Sequence, residues 1–468
     1  MEWRFQLALG DDARTTLGTY IRDVRTSRSF GGKVFQYLRA AEIRELASDH
    51  NIAFAVNSDT SIVQEDRNRM VSKIRSTARK VFLISVHGYI RMKDLRRMLD
   101  NGLTDLNLPL TDADFSDYRN THEFARFQRH QYIIPSVLRE SAFLTYGIDQ
   151  CVPIHREDAP FTSAIDRLVY RAYIDTDYYD IATLEGRPDN PELSRSLAVM
   201  EIRISSPAQV SHARSQIEFA QFLATHASHE HITKPYATFA LRSMYPGETT
   251  HYLITEFPRG NLLAYFKATV PQPADDWMRR QLRGLAAALD LIHTPTNVRF
   301  GIHHDIRPKM VAVCSAQDGF TFKLAPSSQS RIIAQDGQAL PGTSAMISSY
   351  HPPESTNGLA LSRSHDIWSL GCVFLETMVW YTQGTKAYTD FLEAACGKDR
   401  PRYWFAVEKG QVVLRGIVKQ QLDMLEIRKK GKWANLVGVI RMMLATDASW
   451  RITASELVAA FNHPSRPI

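Results

Sequence analysis

Gly301-Ile-His-His-Asp305-Ile-Arg-Pro-Lys-Met310-Val-Ala-Val313 decides the fold of this 468-residue chain. The residues before it, 277–293, have helical periodicity, and Val311 opens a β-like run. The segment therefore reads as a tight loop with a His-x-Asp-x-x-Pro core between a helix and a strand. Downstream, 366–381, 411–426 and 436–444 read as helices. Upstream, Arg167–Ile174, 197–204 and 252–257 are short runs rich in β-branched and aromatic residues, with a helical stretch at 213–224. A small sheet carrying one helix precedes a helical body. Up to about residue 150 the pattern is helical again: Val34, Phe35, Leu38, Ala41 and Leu46 fit one stripe, Met70, Ile74, Ala78 and Val81 a second, and 90–99 and 124–138 supply two more.

Four other stretches stand in order with the loop. They are Tyr252-Leu-Ile-Thr-Glu-Phe-Pro-Arg-Gly-Asn-Leu262, His351-Pro-Pro-Glu354, Ser364-His-Asp-Ile-Trp-Ser-Leu-Gly-Cys372 and Arg451-Ile-Thr-Ala-Ser-Glu-Leu457. Together the five resemble the inter-lobe hinge, the H-R-D-L-K-P-x-N loop, the A-P-E and D-x-W-S-x-G elements and the late arginine segment of protein kinases. The resemblance implies an α+β, two-lobed kinase-like fold over 156–464, with a β-rich small lobe at 156–257 and a helical large lobe at 258–464. A mainly α-helical domain of unassigned role, 1–155, precedes it. Val81-Phe-Leu-Ile-Ser to Asn107-Leu-Pro-Leu also resembles the leader of a kinase-like family of filamentous fungi.

Phosphoryl transfer needs phosphates clamped, Mg²⁺ held and a hydroxyl aimed in line. The resemblance locates each part, and the residues there are the wrong types. Phe161 to Ala172, at the glycine-rich loop, contains no glycine; Thr162, Ala164 and Arg167 take the glycine positions and Asp166 adds a negative charge. Met200 stands at the lysine of the V-A-x-K strand, and Glu218 at its partner glutamate. Strand alternation puts Arg203 on the opposite face from Met200. Met310 replaces the metal-binding asparagine, and Pro326-Ser-Ser328 replaces D-F-G, so both Mg²⁺ ligands are lost. Ser327 would interrupt an aromatic stack through Phe222 and His303.

Asp305 remains, with Arg307 in place of the family lysine. Its functional reading is proton acceptor for a substrate hydroxyl; its structural reading is a loop carboxylate held by hydrogen bonds. Scaffold residues persist: Glu354 matches the glutamate that pairs with a late arginine, here Arg451, and Asp366 the residue that caps the catalytic loop. Val169, Ala198, Glu256 and Phe257 are nucleotide-pocket candidates. No cofactor is expected; weak ATP binding is left open, and Mg²⁺ is not.

The resemblance with these losses implies a catalytically impaired pseudokinase acting as scaffold, regulator or decoy, with an active kinase or its substrate as partner. The alternatives are an atypical Ser/Thr kinase using Asp305, with Arg307, Arg203 or Lys323 as substitute cation, and nucleotide binding without transfer. Composition agrees with a globular chain: 44% of residues are hydrophobic, and 56 Lys+Arg against 50 Asp+Glu leave a formal +6, too thin to argue for nucleic acid. Four dispersed cysteines show no zinc-ligand spacing, and His226, His229 and His231 read as surface or loop residues. The absence of a signal-like segment or long apolar run leads to an intracellular expectation, cytoplasmic or nuclear, without a membrane span.

Overall fold

The computed structural model describes residues 7 and 12–462, apart from 8–11, 31–32, 111–120, 140–142, 148, 164–166, 182–183, 185–193, 205–206, 243–248, 269–270, 297–298, 317–318, 335–347, 358–361, 397–403 and 429–432. The expected Ala164 and Asp166 lie outside the described residues. Among the described residues, no helix is long and apolar enough to cross a membrane.

The leader is built around Arg79–His87, whose residues Val81 to Val86 are all buried. A helix apolar on every side belongs at the centre of a bundle. Helices Ala13–Val24, Asp49–Asn57, Gln64–Thr77, Met92–Asp100 and His122–His130 surround it and share its core. Asp105 accepts from Lys80 N at 3.1 Å and Val81 N at 3.0 Å, satisfying two of the donors that the start of this helix leaves open.

Two helical expectations in the leader fail. Thr26–Phe30 and Lys33–Tyr37 form an antiparallel hairpin, and helix Ala40–Leu46 begins only after it. Phe35 and Tyr37 are buried whereas Val34 and Gln36 are exposed, so period two wins over the apparent helical stripe. In 124–138 the helix stops at His130. Gln131 turns inward to bond both Leu110 N and Leu110 O, at 2.6 and 3.0 Å, and Pro135 lacks the N–H that a continuing helix would need.

The small-lobe sheet runs in the order Phe143–Tyr146, Pro235–Arg242, Thr249–Glu256, Leu197–Arg203, Arg167–Ile174 and Ile154–Arg156, with Thr162–Ser163 paired to Arg167–Ile174. Its first strand, parallel to Pro235–Arg242, lies on the leader side of residue 155. The hairpin joins this lobe as well: Phe30 packs 4.8 Å from Tyr252, Tyr37 OH donates to Asp175 Oδ2, and Tyr178 OH donates to Leu38 O.

Helices Asp275–His293, Arg363–Cys396 (broken in two at Gly384, φ 84°), Gly416–Arg428 and Ala434–Met443 form the large lobe around Leu285, Trp368, Phe374, Leu422 and Ile440. Residues 411–414 are not helical as expected. They pair with Phe405–Glu408 across Lys409 and Gly410, both at positive φ. His231 is buried rather than superficial: its Nδ1 lies 2.8 Å from Phe322 O, and its ring occupies the space above Gly284.

Candidate functional site

The loop at 303–307 hangs between strand Arg299–Ile302 and the turn Pro308–Met310. Asp366, at the start of Arg363–Cys396, holds it from below. Its Oδ2 accepts from His303 N at 2.8 Å and lies 2.9 Å from His293 Nε2, while Oδ1 accepts from His304 N at 2.7 Å. Burial alone would raise the Asp366 pKa, but the His293 bond and neighbouring imidazoles outweigh it and bring it down to about 2. Two clamped amides let His304 hold φ 60°, a left-handed conformation uncommon for a residue with a Cβ.

Asp305 is buried, with both oxygens engaged. Oδ1 is 2.7 Å from Arg307 Nε; Oδ2 accepts from Arg307 Nη2 at 3.3 Å and from Ser327 Oγ at 3.1 Å. His303 fixes the backbone beside it, Nε2 lying 2.8 Å from Ala325 O and Nδ1 accepting from Asp305 N at 3.4 Å. That pattern requires the neutral ring, and burial lowers the His303 pKa accordingly.

Val169, Ala198, Met200, Met310 and Pro326 come together around a cleft of about 140 Å³ between the lobes. Glu256 and Phe257 do not line it. Glu256 receives Lys323 Nζ on both oxygens, each at 2.9 Å, and Lys234 N at 3.0 Å. Lys323 is thereby held outside the cleft rather than serving as a substitute cation. Phe257 packs edge-on to Phe161 and lies under the Arg171 guanidinium, 4.3 Å from its ring centre. Of the hinge, Thr255 and Pro258 contribute to the lining.

The position opposite Met200 belongs to Gln216, not to Glu218. Gln216 is buried, its Nε2 3.1 Å from Met200 Sδ and 3.4 Å from Pro326 O. Glu218 faces solvent and pairs with Arg214 one helical turn back, at 2.9 Å. Sequence reasoning missed Gln216 because it counted residues from Met200; the buried stripe Ala213, Gln216, Ile217 and Ala220 carried the signal. The aromatic stack also differs. Phe219 stands edge-on to His303 at 6.1 Å, and Phe222 stacks on Phe219.

Among the described lining residues there is no carboxylate, and Lys309 is the one ionisable side chain. Mg²⁺ requires hard oxygen donors, and thioethers at Met200 and Met310 with a proline at 326 do not supply them. The cleft does not fit Mg²⁺. At the other end, Val169, Ala198 and Leu253 offer an apolar slot of the kind that receives a flat heterocycle.

Below the loop, Glu354 and Arg451 form a two-pronged pair at 2.5 and 2.7 Å. The guanidinium also donates to Ala445 O and Ser364 O, and lies over the Trp368 ring. Next to them His304, His351 and His365 cluster, with ring centres 4.1 Å apart for His304 and His365 and 5.2 Å for His351 and His365. Burial is the main cause lowering all three pKa values, His304 to about 4.

Comparison with curated proteins gives no match. The protein kinase domain family model matches residues 192–461, more than half of the chain, beginning downstream of the glycine-less strand pair and including the loop, the Asp366 clamp and the Glu354–Arg451 pair. On that match and this geometry, the chain belongs to the protein kinase family.

Proposed function

We propose that this protein is a catalytically impaired member of the family, a pseudokinase whose kinase-like unit at 156–464 acts inside the cell as scaffold, regulator or decoy toward protein partners such as an active kinase or its substrate. One observation carries the reading: the described lining of the inter-lobe cleft has Met200, Met310 and Pro326 where phosphate and Mg²⁺ would be held, and no carboxylate. Asp305 supports it, because a base with both oxygens committed to Arg307 and Ser327 is poorly placed to accept a substrate proton. The lost parts are electrostatic, and a single preorganised donor of this kind is worth about 10² to 10³ in rate. Incubation with radiolabelled ATP and Mg²⁺ tests the reading; incorporation above background that vanishes in Asp305→Ala would overturn it and restore the atypical-kinase alternative.

The apolar slot favours a second reading, nucleoside binding without transfer. A ligand at about 100 times its dissociation constant adds about 2.7 kcal/mol to the folded state. Thermal unfolding with ATP, with adenosine and with either EDTA or Mg²⁺ separates the cases. A rise indifferent to Mg²⁺ and similar for adenosine supports this reading, and no rise with either removes it.

A further inference from the structure

A second cleft, of about 790 Å³, lies beside the hairpin where the helical leader meets the small lobe. Arg25, Lys33 and Arg129 line it, with His87, His130 and, among the described residues, a single carboxylate, Asp149. Arg25 Nε is buried with no hydrogen-bond partner among the described residues. His87 and His130 meet edge to face at 5.0 Å. After burial, every charge from the described residues that bears on them is positive: His130, Arg25 and Arg22 act on His87, and Arg126, Arg129 and Arg25 act on His130. This concentration of positive potential stands out in a chain whose net charge is only +6.

The cleft also has a backbone feature. Among the described residues, Lys33–Tyr37 pairs with one strand, Thr26–Phe30, and its consecutive residues Lys33 to Gln36 line the cleft. Such an edge presents N–H and C=O groups that another strand can pair with. Val34, on this edge, is 69% exposed and offers apolar contact beside the cations.

We propose that this cleft is the docking site for an extended, multiply anionic peptide segment of a partner protein, which adds as a strand along Lys33–Gln36 and sets its anionic side chains against Arg25 and Arg129. Strand addition supplies sequence-independent affinity through main-chain bonds, and the cations select for charge. A strand edge matches a peptide backbone and has no counterpart in a sugar-phosphate chain. Carboxylates and phosphate esters share the chemistry required. The proposal needs no nucleotide between the lobes and stands apart from the pseudokinase reading.

The test is fluorescence anisotropy on the full chain with three labelled peptides: alternating Glu and Val, the same with phosphoserine for Glu, and the same with Gln for Glu. Binding of either anionic peptide but not of the Gln peptide, weakening as salt rises, is the expected result. Tighter binding of the phosphoserine peptide assigns a phosphorylated partner, and the reverse order an acidic one. Arg129→Glu, at an exposed position, should weaken binding by about tenfold or more with the melting temperature unchanged. Val34→Pro, which removes an edge N–H, should weaken both anionic peptides. Indifference to Arg129→Glu, equal binding of the Gln peptide, full displacement by inorganic phosphate, or stronger binding of an oligonucleotide would each overturn the proposal.

Discussion

Gln216 and Met200 meet across the small lobe, an amide Nε2 3.1 Å from a thioether Sδ, at the place where the family carries a glutamate–lysine pair. A neutral contact has replaced an ionic one, and both residues remain well packed. Restoring the pair should therefore require both changes. Met200→Lys alone inserts a cation among apolar neighbours and should lower the melting temperature; adding Gln216→Glu should recover it. ATP affinity should rise in the double variant, while phosphate incorporation stays at background because positions 310 and 326 still lack metal donors. Transfer by the double variant would show that Mg²⁺ binding had been misjudged.

Asp305 is predicted to be a stability residue. Asp305→Ala leaves the Arg307 guanidinium, largely buried, without its carboxylate, and breaking a buried pair costs about 3 kcal/mol. Urea denaturation of the two proteins measures this directly. A variant as stable as the parent would mean that the loop is held by Asp366 alone.

The histidines beside the loop predict acid sensitivity. An unfolded histidine titrates near 6.5, whereas burial brings folded His304 down to about 4 and lowers His365 well below 6.5. Between these values the unfolded chain binds more protons, so stability is fully present above pH 6.5 and is lost as pH falls toward the folded values. Denaturation midpoints at pH 7.5, 6.5 and 5.5 should fall in that order. His365→Asn, which removes one titrating ring, should flatten the decline. Midpoints that hold steady across this range would rule out neutral burial of the cluster.

Gly284→Ala should destabilise the large lobe. A Cβ there would lie 2.0 Å from His231 Nε2, and the ring cannot retreat without giving up its 2.8 Å contact with Phe322 O. Overpacking of this kind costs about 1 to 3 kcal/mol. Gly284→Ala combined with His231→Ala should recover part of the loss, because the second change empties the contested space. Thermal unfolding of the single and double variants checks both statements.

Much of the large lobe could be read from the chain because its signals are local. The stripe at 277–293 marks one helix, the stretch at 364–372 starts another, and the residue types at Met310 and Pro326 stand in the chain itself. The small lobe and its neighbours were harder. Val34, Phe35 and Leu38 fit a helical stripe, and only the packing of Phe35 and Tyr37 against the sheet decides in favour of a strand. Strand Phe143–Tyr146 is set by pairing with residues almost a hundred positions downstream, to which local periodicity is blind.

The sequence by itself therefore determined the family and the residue types at the motif positions, since motif order and side-chain chemistry are properties of the chain. The tertiary structure decided which residues fill the vacated positions. Gln216 rather than Glu218 faces Met200 because helix rotation is fixed by burial of Phe219 and Ala220, not by distance along the chain. Asp305 is bonded by Ser327, 22 residues away, and the basic cleft exists because the hairpin leaves its own helical body to dock on the sheet. Those relationships depend on which surfaces bury together, and burial is settled only when the whole chain has packed.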